Sequence, residues 1–102
     1  MTASGDEEVQ VPASLRPLIP RFQERTRGEI ARLKAALAAA DWRGIEQIAH
    51  KLKGSTGSYG FVHLGDLAGR LETVAKAGDA SSAAALVAAL EQHFARASVR
   101  YV

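Results

Sequence analysis

Apolar residues recur along most of this chain at intervals of three and four, the period of a helix with one buried face. From Arg21 the series Phe22, Thr26, Ile30, Leu33, Leu37 and Ala40 defines one such face. Asp41 is a strong N-cap residue and predicts a break and a restart there. A second long helix then carries Ile45, Ile48, Ala49 and Leu52, before Gly54-Ser55-Thr56-Gly57-Ser58-Tyr59-Gly60, which reads locally as a loop. Phe61, Leu64, Leu67, Ala68, Leu71, Val74 and Ala75 follow at near-heptad spacing, and Ala77-Gly78-Asp79 closes that helix with Gly78 at the C′ position. A last helix is expected from Ser81 or Ser82, with Leu86, Leu90, Phe94, Ala97 and Tyr101 turned inward. Leu15, Leu18 and Ile19 make a short extra N-terminal helix or turn, with Pro20 in the first turn of the next helix. Four amphipathic helices on short connections predict an all-α, antiparallel up-and-down four-helix bundle over residues 15–102. Residues 1–14 are polar, hold Asp6-Glu7-Glu8 and Pro12, and read as a flexible leader.

Composition narrows the class. At 102 residues the chain makes one domain, too short for most enzymes with an elaborate pocket. Alanine dominates and aromatics are scarce, which favours helices over strands. Absence of cysteine removes disulfides, thiolate metal sites and thiol nucleophiles together. A net charge of +2 is too small to indicate nucleic acid, and no apolar run reaches the roughly 20 residues that cross a bilayer. The acidic start does not resemble a signal peptide, so a cytoplasmic protein is expected, and Met1 with its leader favours a standalone chain.

The second long helix holds the informative chemistry. At about 100° per residue, Ile45, Ile48, Ala49, Leu52 and Thr56 fall within about 60° of one direction. His50 points about 140° away from it, beside Arg43, Gly54 and Gly57, with Lys53 at about 80°. An imidazole is thus expected to project from mid-helix next to two positions without side chains. Each glycine costs a helix interior roughly 1 kcal/mol against alanine. Bare backbone one turn from an exposed nucleophile gives a large partner room to approach it.

The segment His50-Lys51-Leu52-Lys53-Gly54-Ser55, with Gly60 ten residues after the histidine, resembles the histidine-containing phosphotransfer (HPt) domain family and its His-x-x-Lys-Gly-Ser signature. Asp41-Trp42, Ile45, Ile48 and Ala49 before it are similar to the family as well, as are Leu64, Leu67 and Leu71-Glu72 after it. The resemblance covers roughly residues 15–100. It implies a four-helix bundle that passes a phosphoryl group between receiver-domain aspartates, or takes it from a kinase, as a carrier without turnover of its own. It further implies that His50 is the phosphoacceptor and Lys53 the cation near the phosphoryl group. Gly54 matches the small residue that keeps the imidazole accessible, and Gly60 the small residue where the next helix approaches. Lys51 and Gly57 flank the site as accessory positions. No cofactor is implied for this chain; the metal ion belongs to the partner, a receiver domain of a response regulator or hybrid histidine kinase. Neutral imidazole suits this chemistry, which depends on positioning and charge neutralisation. The nucleophilic nitrogen stays open at this level.

Other residues read as structural. His63 and His93 have no i,i+4 pairing that would indicate a metal site. Trp42, Tyr59 and Phe61 are expected to pack at helix ends, Arg21, Arg25 and Arg32 to form a solvated face, Thr56 to be buried, and Ser55 to hydrogen-bond near the helix end. Two alternatives have distinct signatures. A degenerate bundle used only for protein binding has no need of the Lys53-Gly54 pair. A dimerising kinase helix pair expects an acidic residue after the histidine, where Lys51 stands. A monomer is expected, because the face around His50 has to stay free.

Overall fold

In the computed structural model, which describes residues 8–102, the helical periodicity becomes four helices: α1 (Ile19–Ala38), α2 (Trp42–Ser58), α3 (Val62–Lys76) and α4 (Ala80–Arg96). Each connection has three residues, which obliges consecutive helices to run antiparallel. α2 packs on α3, α3 on α4, and α1 closes the bundle against α2 and α4. The three connections share one device, a central residue in the left-handed region: Ala40 (φ 53°), Gly60 (φ 87°) and Gly78 (φ 66°). Glycine reaches that region without a Cβ penalty, whereas Ala40 adopts it under strain. Asp41 then caps α2 by accepting from Gly44 N at 3.0 Å, and Asp79 caps α4 by accepting from Ser82 N at 3.1 Å. α4 therefore starts at Ala80, slightly before the expected Ser81 or Ser82.

The core is the predicted set of faces. Phe22 and Leu33 of α1 meet Ile45, Ala49 and Leu52 of α2, Leu64, Ala68 and Leu71 of α3, and Val87 and Leu90 of α4, all buried. Fully burying one such leucine contributes about 1.5–3 kcal/mol. Tyr59 and Phe61, on either side of the α2–α3 turn, pack on Phe22, Tyr59 stacked with ring centroids 4.5 Å apart and Phe61 tilted at 4.9 Å. Trp42 lies half-buried against the same core.

Two expectations need correction at the chain ends. The leader expected over residues 1–14 does not extend through its second half: Glu8–Val11 form strand β1, followed by a 3₁₀ segment at Ala13–Leu18. Residues 1–7, with Asp6 and Glu7, lie outside the described residues. The last helix does not reach Tyr101; after Ala97 turns extended, Ser98–Tyr101 form strand β2, parallel to β1 with Val9 opposite Val99 and Val11 opposite Tyr101. The physical reason is burial. Val9 and Val11 are 5% and 0% exposed, so pairing with β2 carries two apolar side chains into the core. Arg16 covers the ring of Tyr101 at 4.7 Å.

Candidate functional site

α2 continues through Ser58, across the stretch that reads locally as a loop. Leu52 and Thr56 extend the buried stripe begun by Ile45 and Ala49, and the Thr56 hydroxyl donates to Leu52 O at 2.8 Å. Ser55 makes a longer contact of the same kind, 3.4 Å to Leu52 O. Burial of that stripe outweighs the low helix propensity of Gly54, Ser55, Gly57 and Ser58.

This places His50 on the open side of α2, its side chain 68% exposed. A Cβ added at Gly54 or Gly57 would meet nothing within 4 Å, so neither glycine is required by packing. Their cost to the helix leaves bare backbone beside the imidazole. Lys51 and Lys53 are exposed on the two flanks of this surface. Gly60 is not part of it. About 15 Å along the helix from His50, it sits in the turn at φ 87°, and a Cβ there would lie 2.5 Å from Gln10 O of β1. Its small size is demanded by the backbone of β1 and by the turn.

The residue that sequence reasoning left without a role is Glu72. From α3 its carboxylate joins both candidate groups: Oε2 lies 2.9 Å from His50 Nδ1, and Oε1 lies 3.3 Å from Lys53 Nζ. Its side chain is only 12% exposed. Desolvation pushes the carboxyl up, but hydrogen bonds and charge from Lys53 and His50 together outweigh it and hold Glu72 below the usual carboxylate range. Glu72 is thus ionised at neutral pH and can only accept, so the proton of a neutral His50 resides on Nδ1. In that tautomer Nε2 keeps the free lone pair. An open groove around this cluster is lined by Glu46, Gln47, His50, Lys51, Glu72 and Lys76. The signal available for Glu72 was indirect: Gly65 and Gly69, four residues apart, mark the side of α3 that α2 approaches, and Glu72 follows on that side.

The remaining polar residues stay apart from the cluster. His63 and His93 come together edge to face, centroids 4.5 Å apart, on the α3–α4 side. Among the described residues no group of three or more His, Asp or Glu side chains is arranged to hold a metal ion. Arg21, Arg25 and Arg32 are exposed along α1. No helix of the described residues is long and apolar enough to cross a membrane.

Comparison with known proteins adds one finding. A protein-family model described as Hpt domain matches residues 18–99. Among curated proteins and among solved structures nothing matches. The matched span contains all four helices and the His50 segment, and the chain therefore belongs to the Hpt domain family, the histidine phosphotransfer modules of phosphorelay signalling.

Proposed function

We propose that this chain is a phosphorelay intermediate that carries a phosphoryl group on His50. The observation that carries the reading is the arrangement of one imidazole: exposed, with Nδ1 engaged by an ionised carboxylate, on a helix whose next turns carry no side chain at Gly54 and Gly57. Nε2 attacks the phosphorus of a partner's aspartyl phosphate; the Nε2–P bond forms, the P–O bond to the aspartyl oxygen breaks, and the aspartate leaves as carboxylate. The Nδ1 proton stays in place, and Glu72 balances the positive charge of the phosphoimidazolium. The reverse step delivers the group to a second receiver. Lys53 neutralises charge on the phosphoryl oxygens, Gly54 and Gly57 admit the partner, and Lys51 and Lys76 add positive charge at the rim. In this reading the divalent ion comes with the partner receiver, and the chain works as a cytoplasmic monomer with its His50 face free.

The test is transfer from phosphorylated receiver domains of the same genome to wild type and His50→Gln. Acid-labile phosphorylation is expected for wild type and none for the variant, with equal helical content and Tm. A wild type that stays unphosphorylated with every receiver supports a bundle kept only for protein binding. A His50→Gln variant that loses its fold makes the histidine structural.

A further inference from the structure

Gly65 and Gly69 of α3 both face α2, and a side chain at each would meet a different obstacle. A Cβ at Gly65 would lie 2.7 Å from Oγ1 of Thr56, a buried hydroxyl already bonded to Leu52 O. That glycine is a condition for the two helices to approach. A Cβ at Gly69 would lie 3.1 Å from Cδ of Lys53 and 3.8 Å from its Cγ. Among the described residues, no other atom beyond its own helix lies within 4 Å of that position. The obstacle there is a flexible side chain.

The aliphatic stem of Lys53 lies in the notch that Gly69 leaves. From the notch the ammonium ends 3.3 Å from Glu72 Oε1, while Glu72 Oε2 holds His50 Nδ1. A lysine on an open helix surface distributes over many rotamers and keeps its strongly hydrated head in water. Lys53 is half-exposed, yet its stem is confined on the α3 side.

We propose that Gly69 is a positioning residue for Lys53: its missing side chain seats the lysine against α3, so that the ammonium waits beside Glu72 and His50. The consequence for phosphoryl transfer rests on the reading of His50 as phosphoacceptor; the seating does not. A methyl at position 69 displaces the stem by a few tenths of an ångström, and a larger side chain fills the notch. Both replacements improve helix propensity. Fold stability and the Lys53 contact therefore respond in opposite directions, which separates positioning from simple structural damage.

The experiment follows the Glu72 carboxyl by NMR pH titration, and phosphoryl uptake by single-turnover transfer from a phosphorylated receiver. The proteins are wild type, Gly69→Ala, Gly69→Leu, Lys53→Ala and Gly69→Leu/Lys53→Ala. Glu72 is expected to titrate progressively higher from wild type through Gly69→Ala to Gly69→Leu, approaching Lys53→Ala, with Tm equal to or above the wild type's. Uptake should slow in the same order, by roughly two- to tenfold for Gly69→Leu, since one screened charge contact is at stake. In the Lys53→Ala background Gly69→Leu should change neither quantity. A Glu72 titration in Gly69→Leu that overlays the wild type's overturns the proposal. So does an equal shift with and without Lys53, which would mean that the leucine acts on Glu72 by desolvation. Shifted titrations without phosphorylation of the wild type leave the seating in place and sink the phosphoacceptor reading instead.

Discussion

Replacing Lys53 by alanine takes a cation away from Glu72 and His50 while leaving a good helix former in α2. The ammonium stands 3.3 Å from Glu72 Oε1, and that carboxylate in turn holds the imidazole at 2.9 Å. On the proposed reading, a phosphoryl group on Nε2 offers the ammonium a second anion, which rotation about the lysine's side-chain bonds can bring within reach. A well-placed charge-assisted hydrogen bond contributes roughly 1.5–3 kcal/mol. Lys53 is 51% exposed, so solvent screening lowers this toward the range of exposed pairs. A loss of about 0.7–2 kcal/mol follows, which is roughly a three- to thirtyfold fall in transfer rate or in phospho-His50 lifetime. Lys53→Arg should recover part of it, keeping the charge but not the compact ammonium. The effect should also weaken with added salt, because the Debye length falls to about 3 Å at 1 M. The assay is single-turnover transfer from a phosphorylated receiver to the three proteins at two salt concentrations. Equal rates and equal lifetimes throughout would refute the assignment and leave Lys53 as no more than a counter-ion for Glu72.

Gly54→Leu should slow transfer at least about tenfold while raising Tm, because leucine is the better helix former by up to about 0.8 kcal/mol and its Cβ meets nothing; undiminished transfer would show that the bare backbone is not an access surface. A carboxylate whose folded pKa lies below its unfolded value adds stability above that unfolded value and loses it as pH falls through the folded one. For Glu72, held low against desolvation by Lys53 and His50, the Tm advantage of wild type over Glu72→Gln should persist between about pH 7 and 5 and shrink below about pH 4; thermal melts that keep a constant difference down to about pH 3 would contradict the ion cluster.

What could be read from the chain and what could not divides along one physical line. The period of α2 alone places His50 on its open side, and the same arithmetic carries Thr56 into the core between two glycines that look like a loop. Asp41 marks a helix start because its side chain bonds backbone three residues away. All these features are local. Glu72 meets His50 across two helices and 22 residues of chain, and no period on either helix reports that contact. The β1–β2 pair joins residues some 90 positions apart, and its traces are brief. Val9-Gln10-Val11 alternates for only three residues inside a polar stretch. Phe94, Ala97 and Tyr101 keep helical spacing, so the end of α4 at Arg96 left no mark in the pattern. The family resemblance ties Gly60 to the approach of the next helix, whereas the nearest backbone is Gln10, from a segment with no helical period to reveal it.

That clasp has an energetic consequence outside the family span. The match covers residues 18–99, whereas Val9 and Val11 belong to the same buried cluster as Phe22 and Leu71. Backbone bonds secure the clasp beyond the strands, from Ala13 N to Val102 O and from Val102 N to Val11 O, both 2.9 Å. Val11→Ala removes two buried carbon groups at a fully buried position. Lost transfer energy and a residual cavity together give about 2 kcal/mol, or roughly 8–16 °C in Tm for a domain of this size. Gly60→Ala should destabilise through the same contact from the other side, since its Cβ would collide with Gln10 O and φ is left-handed. His50 lies about 15 Å away along α2, so phosphoryl uptake at a temperature where both variants are folded should equal the wild type's. The measurement is a thermal melt beside a single-turnover assay at about 20 °C, well below the melts expected of ordinary domains. A Val11→Ala melt that overlays the wild type's would show that Glu8–Val11 contributes nothing to the core in solution. A loss of uptake in a folded Val11→Ala protein would instead show that the clasp reaches the His50 site through α2.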